Sequence, residues 1–337
     1  MRSVFLLPAV VATSLFAQSD EQLASYLKRN PDADANGDGK LTRQEARDHR
    51  RRDPSRGDNL ASRSHIPGIQ VSESDSPLKN VRLKSPDGVT LDFAYRKPKG
   101  DGPFPTILFF HGGGGHSGLD GLRKNLRNGA VQTRFLARGF VTVQSTRRPY
   151  WKSKNDERPT GFHDAVEDAR LVVEKVKTLP GVDPDRVILY GGSGGGILAL
   201  VTASTADVAC VIAGEPATVV ALDPMTGKVA TPGNYRQIME HPHEKFTGER
   251  KAEVLEWMKR IECPVLLLQG KHVGLYKSNF EILIPEMKKL GKDIRHIEYP
   301  GLSHGFYWGT VKTGATEATV EQILRDTTAF IATHSGK

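Results

Sequence analysis

The chain has 337 residues, 38% of them hydrophobic, and a formal net charge of +8. That length accommodates one large α/β domain with a small appendage. Residues 18–80 carry as many acidic as basic side chains, so the positive surplus falls later in the chain, where no dense Lys/Arg block with interleaved aromatics occurs. Nucleic acid is therefore not an expected partner, and the charge reads as a solvated surface.

Met1 and Arg2 precede the apolar run Val4–Phe16. One positive charge followed by a short apolar stretch, with Ala17 as the last residue before cleavage, reads as a secretory signal peptide over residues 1–17. The mature protein is expected to be secreted or periplasmic. The run is shorter than the ~20 apolar residues a spanning helix needs, and no later segment is longer, so no membrane span is expected.

Residues 18–52 form a small helical segment around Asp34-Ala35-Asn36-Gly37-Asp38-Gly39-Lys40-Leu41-Thr42-Arg43-Gln44-Glu45. Asp34, Asn36 and Asp38 fall at positions 1, 3 and 5 of the EF-hand calcium template, and Gly39 falls at the sharp turn. Lys40 offers its carbonyl at position 7, Thr42 sits at 9 and Glu45 supplies the bidentate carboxylate at 12. This spacing predicts a Ca2+ ion in a structural, stabilising role. Residues 53–79 are polar and turn-rich (Asp53-Pro54-Ser55-Arg56-Gly57, then Ser72 to Pro77) and read as a linker.

From residue 80 onward, strand-like runs alternate with helical periods, the pattern of a mostly parallel sheet covered on both faces. Asn80–Lys84 and Val89–Arg96 flank the turn signal Pro86-Asp87-Gly88. Thr106–Phe110 and Phe140–Gln144 read as strands on either side of a helix over 122–138. Asp164–Leu179 sets Val166, Ala169, Val173 and Val176 on one helical face. Strands are expected at Arg186–Tyr190, Ala209–Ala213, Pro264–Leu268 and Ile294–Tyr299, and helices at Asn279–Leu290 and Thr316–Thr333. Residues 217–258 read as an insertion forming a partial cap. Cys210 and Cys263 each lie near the start of a strand, where both free thiols and a disulfide are open readings.

Gly191-Gly192-Ser193-Gly194-Gly195 follows the apolar run Val187–Tyr190 and opens the helical segment beginning at Ile197. This is G-x-S-x-G at a strand-to-helix turn, where small neighbours let a serine hydroxyl stand above a sheet. His111-Gly112-Gly113-Gly114-Gly115 follows Thr106–Phe110, and Ser303-His304-Gly305 follows the final strand. A serine hydroxyl needs a base within hydrogen-bond reach and donors for the oxyanion. Ser193 is the candidate nucleophile and His304 the candidate base.

Residues 80–337 resemble the α/β-hydrolase superfamily. Val182 to Gly195 is similar to the prolyl-oligopeptidase-like and dienelactone-hydrolase-like esterases, and His111-Gly112-Gly113-Gly114 to the oxyanion loop of lipases and carboxylesterases. The resemblance implies an α/β-hydrolase fold and oxyanion donors from the backbone N–H groups of Gly194 and of Gly113 or Gly114. It also implies an acid after the penultimate strand, where Val273 stands instead. Glu215, ending the run Cys210–Gly214, is the substitute candidate, and Glu281 the fallback. Tyr150, Trp151, Phe306, Tyr307 and Trp308 suit either an acyl or sugar pocket or structural packing. Arg147 and Arg148 read as a structural ion pair ahead of a substrate-carboxylate site.

The expected activity is hydrolysis of carboxylic esters, small or polymer-borne and of carbohydrate type, with no organic cofactor. Two rivals stand beside it. One is a prolyl-oligopeptidase-like peptidase, against which this reading sets the lack of room for a propeller domain. The other is a catalytically silent, calcium-dependent binding protein, which the Val273 departure keeps open.

Overall fold

The structure, a computed structural model, describes residues 23–24, 27–28, 30–42, 44–45, 49, 66–112, 118–147, 161–223, 237–270 and 275–334. The expected signal peptide (1–17) lies outside the described residues. The chain divides into two compact units, Met1–Ser64 and His65–Lys337.

In the first unit, Pro31–Ala33 form a 3-10 turn. Leu23, Ala33 and Leu41 are buried together, with Leu27 packed against them.

The second unit is built on eight strands: β1 (Lys79–Lys84), β2 (Thr90–Arg96), β3 (Phe104–Phe110), β4 (Val141–Ser145), β5 (Val182–Gly192), β6 (Cys210–Gly214), β7 (Val265–Gly270) and β8 (Ile294–Tyr299). They form one sheet in the order β1-β2-β4-β3-β5-β6-β7-β8. The β1–β2 and β2–β4 pairs are antiparallel, and every pair from β4–β3 to β7–β8 is parallel. The crossovers are made by α1 (Leu119–Asn128), α2 (Ala130–Ala137), α3 (Phe162–Lys177), α4 (Gly194–Thr202), α5 (Val219–Leu222), α6 (Gly248–Arg260) and α7, whose first part Ser278–Leu283 is π-helical and whose second part is Ile284–Lys289. Helix α8 (Glu317–His334) closes the chain.

The central strands read as unbroken apolar runs because both of their faces are covered. Leu108, Leu189, Val211 and Leu267 join a core with α3, α4, α6 and α7. Their chain neighbours Ile107, Ile188, Ile212 and Leu266 join the opposite core with α2 and α8. The helix expected over 122–138 is two helices, because Gly129 takes an extended conformation (φ −68°, ψ 132°) between α1 and α2. No helix among the described residues is long and apolar enough to cross a membrane.

Residues 66–78, read from sequence as part of a linker, are bound into this unit. Arg96 is 1% exposed, and burial lowers the pKa of its guanidinium. It donates hydrogen bonds to the carbonyls of Ser76 (2.9 Å), Val71 (2.8 Å) and Ser72 (3.2 Å). A buried cation needs those acceptors, and that need holds the segment down. Ile66 and Gly68 donate their N–H groups to the carbonyls of Gly309 and Asn128. The remainder of the expected linker, 53–65, lies outside the described residues.

Candidate active site

Three parallel strands end side by side. Gly192 of β5 pairs with Gly214 of β6, and Gly214 pairs with Leu268 of β7, two residues before that strand ends at Gly270. Ser193 follows the first of these strands and Glu215 the second. Among the described residues these two alone, apart from glycines, have positive φ: 55° at Ser193 and 41° at Glu215. Such geometry costs about 1–3 kcal/mol per residue and persists where the surrounding structure enforces it. Here the Ser193 N–H donates to the Gly214 carbonyl (2.8 Å), and the Glu215 N–H donates to the Leu268 carbonyl (2.8 Å). The Ser193 carbonyl then accepts from Gly196 and Ile197 of α4 and from Ala217, which fixes the turn from strand to helix. The loop after β3 passes against this turn, where a Cβ on Gly112 would lie 3.0 Å from the Cβ of Ser193.

The loop after β8 settles on these strand ends. The Tyr307 ring lies on Gly214, where a Cβ would meet its Cγ at 2.5 Å, and it also covers Gly192. Glycine at both positions is what lets the ring come down onto the sheet. The ring is 1% exposed, and its backbone carbonyl accepts the Tyr190 hydroxyl (2.8 Å) from inside the core. Burial raises the Tyr190 pKa, so that hydroxyl stays a proton donor. Phe306 is fully buried, and Trp308 packs on Tyr190 (ring centroids 5.1 Å apart) and Phe109 (6.1 Å). Phe306 and Trp308 are thus packing residues in this loop.

With its loop anchored in this way, His304 turns Nδ1 to the Glu215 carboxylate. Nδ1 lies 2.7 Å from Oε2, the carboxylate is fully buried and the imidazole is 41% exposed. An ionised carboxylate can only accept, so Nδ1 carries the proton and Nε2 is left with a lone pair. The other carboxylate oxygen accepts the Gly270 N–H (2.9 Å) and faces the Gln269 side-chain amide (3.4 Å). Nε2 faces the Tyr307 hydroxyl at 3.5 Å. Among the described residues, His304 and the Ser193 hydroxyl are not hydrogen-bonded to each other. They share the same strand-end cluster through Gly214 and Glu215.

The other expected site residues fall as follows. The Gly194 N–H group opens α4 directly after Ser193. Gly113, Gly114, Arg148, Tyr150, Trp151 and Val273 lie outside the described residues. Glu281, the fallback acid, is paired with His243 (3.4 Å) at the surface and not with His304. Arg147 donates to the His111 carbonyl (3.0 Å), holding the loop after β3. Both cysteines are free. Burial pushes the Cys263 thiol up to about 12 and raises that of Cys210 as well. Sequence reasoning missed the Tyr307 hydroxyl beside His304, and it missed Gln269, whose signal was one polar residue ending the run Val265–Leu268.

In the N-terminal unit, Asp34 accepts the N–H groups of Gly37 (2.9 Å) and Gly39 (2.8 Å). Asn36 accepts from Asp38, and Asp38 from Lys40. Glu45 accepts from the Thr42 hydroxyl (2.6 Å) and N–H (2.9 Å), bonds that lower its pKa, the hydroxyl most. These donors are hard oxygens of the type calcium takes. Among the described residues, however, no group of three or more His, Cys, Asp and Glu is gathered to hold a metal ion.

The sequence model of the prolyl oligopeptidase family matches residues 160–337, more than half of the chain, and includes Ser193, Glu215 and His304. The chain belongs to the prolyl oligopeptidase family. A model of acetyl xylan esterase (AXE1) matches residues 78–218, overlapping the first match across Ser193 and Glu215. The chain is similar to the uncharacterized peptidase YtmA of Bacillus subtilis, 24% identical over 252 residues, which span 71% of this chain and 92% of that protein. It is also similar to the non-reducing polyketide synthase pkbA of Emericella nidulans, 33% identical over 148 residues, but it spans 6% of that protein's length. Among solved structures, brefeldin A esterase, a bacterial homologue of human hormone sensitive lipase, superposes with a TM-score of 0.57 at 18% identity, covering 82% of this chain and 83% of that one. That likeness carries the α/β-hydrolase fold, and the family match carries the broad class, a hydrolase of esterase or peptidase type.

Proposed function

We propose that this member of the prolyl oligopeptidase family hydrolyses carboxylic esters through an acyl-enzyme, with Ser193 as nucleophile, His304 as base and Glu215 as the acid. The observation that carries the proposal is the 2.7 Å hydrogen bond from His304 Nδ1 to a fully buried carboxylate, one strand over from a serine held at φ 55°. Glu215 keeps the proton on Nδ1, which leaves Nε2 as the base. Nε2 takes the Ser193 proton as Oγ attacks the ester carbonyl, and then returns it to the leaving alcohol. Contacts of this kind are commonly long before substrate binds and tighten with it. The Gly194 N–H, with Gly113 or Gly114, is assigned to the oxyanion, where each donor contributes roughly 3–4 kcal/mol. Water activated by Nε2 then releases the acid.

The acetyl xylan esterase match spans the serine, the acid and the loop after β3, which favours an acetylated carbohydrate or other plant-polymer ester as substrate. The family match favours a second reading, cleavage of peptide bonds. A panel of acetyl, feruloyl and glucuronoyl esters run beside prolyl and aminoacyl amides separates the two. Ester turnover that Ser193→Ala lowers by about 10⁵-fold or more supports the proposal. Turnover of amides alone supports the peptidase, and turnover of neither supports a silent binding protein.

The proposal includes export by the segment ending at Ala17, and a Ca2+ ion held by Asp34, Asn36, Asp38, Lys40, Thr42 and Glu45. The metal would stabilise the N-terminal unit and takes no part in the chemistry above. The oxygen donor set and the Asp34-centred turn support it.

A further inference from the structure

The Glu215 carboxylate is the end of a longer buried chain of hydrogen bonds. The Thr218 hydroxyl bonds to Asn279 Oδ1 (2.7 Å), Asn279 Nδ2 to Gln269 Oε1 (3.1 Å), and Gln269 Nε2 to both Glu215 Oε1 (3.4 Å) and the Gly270 carbonyl (2.9 Å). All four side chains are 0% exposed. They come from four places in the chain: the turn after β6, the residue before helix α5, the end of β7 and the π-helical start of α7.

The direction of the chain follows from its charged end. A carboxylate accepts, so Gln269 must present its amide nitrogen to Glu215 and its oxygen to Asn279. Asn279 must then present its nitrogen to Gln269 and its oxygen to Thr218, which donates. Each orientation is fixed by the next, and a reversal anywhere sets oxygen against oxygen among fully buried side chains. The need for such a fixture is local. Glu215 reaches His304 from the end of β6 on a backbone at positive φ, and among the described residues its Oε1 has the Gly270 N–H and the Gln269 amide as donors. Asn279 lies on a π-helical turn, a wider winding often found where a helix side chain serves a site.

We propose that Gln269, Asn279 and Thr218 are positioning residues for Glu215, holding its carboxylate in register with His304 Nδ1. The inference rests on the proposed role of Glu215 as the acid of the triad. None of the three residues is assigned contact with substrate.

The test is steady-state hydrolysis of p-nitrophenyl acetate by the full chain, with thermal unfolding followed for each variant. Gln269→Met keeps the length and loses the donor, and it should lower kcat by about tenfold or more with KM unchanged, as loss of a supporting partner does elsewhere. Thr218→Val, two bonds removed from the carboxylate, should lower kcat by about threefold or more, and Thr218→Ser should restore it. The double variant Gln269→Met/Thr218→Val should be no slower than Gln269→Met, because Thr218 acts through Gln269. Asn279→Leu is close to the native size and can neither donate nor accept. It should leave the Gln269 oxygen and the Thr218 hydroxyl without their partner and lower kcat by about tenfold or more. Independent structural roles predict additive losses that melting temperature tracks, and that result overturns the proposal. So do wild-type rates in Gln269→Met and Asn279→Leu. If the wild type hydrolyses no ester, the serine-hydrolase reading falls and this inference with it. If the wild type is active and the variants equal it, only the positioning role falls.

Discussion

Tyr307 lies on Gly214: a Cβ at that glycine would sit 2.5 Å from the ring's Cγ. The ring is buried, and the segment that holds it also carries His304. Gly214→Ala must therefore move either the sheet end or the histidine loop. Overpacking of this kind costs about 1–3 kcal/mol, so urea unfolding should shift by that amount. Esterase activity should fall further than stability does, because His304 moves with the ring. An alanine variant with wild-type stability and rate would contradict the seating described here.

Glu215→Gln keeps the shape of the side chain and lets Nδ1 of His304 lose its proton preference. In serine hydrolases the corresponding change lowers kcat by about 10⁴-fold, and the same order is expected here. Glu281→Gln should leave the rate within about twofold, as suits a surface substitution, since that carboxylate pairs with His243. Comparison of the two variants on one ester reports which carboxylate serves the histidine.

Arg96→Met leaves the carbonyls of Val71, Ser72 and Ser76 without their donor. Orphaned buried acceptors cost about 1–3 kcal/mol each at most, and partial release to water reduces the total, so a loss of about 2–4 kcal/mol is expected. Limited proteolysis should then cut within 66–78, a segment expected to resist cleavage in the wild type. Unchanged protection would mean that the segment is held by other contacts.

The fold was largely legible because each central strand is a short apolar run bounded by turn residues, and the long helices α3 and α8 each carry one apolar face. Strand ends shifted by a few residues, and Gly129 divided a helix whose apolar period runs across it. The serine and histidine were legible from local motifs. Glu215 was reached only through the family resemblance, as an alternative acid position once Val273 stood at the usual one, because its role depends on which strand end lies beside His304, a fact of sheet order and not of local pattern. The supporting residues were scarcely legible. Gln269 stood out only as one polar residue ending an apolar run, and nothing local marks Asn279 or Thr218. Burial beside a charge is what gives them meaning.

The thiols give a check on the core. With Cys263 pushed up to about 12 by burial, only about one thiol in 10⁴ is ionised at pH 8, and Cys210 is raised as well. Native protein should react negligibly with a disulfide reagent such as DTNB at that pH. Addition of denaturant without reductant should release two thiols per chain. No release in denaturant would mean a Cys210–Cys263 disulfide.

Calcium titration tests the N-terminal loop. Binding at about 10⁻⁴–10⁻³ M, as for extracellular single sites, is expected by calorimetry, with loss in Glu45→Gln. Ester turnover should not change with the metal. Absence of binding at millimolar calcium would remove the ion from the account.

The most direct measurement of the central claim is mass spectrometry of the protein after exposure to a fluorophosphonate. The account predicts one adduct per chain on the peptide holding Ser193, formed slowly in Glu215→Gln and absent in Ser193→Ala. An unmodified wild-type protein, or an adduct on another residue that survives Ser193→Ala, would contradict it.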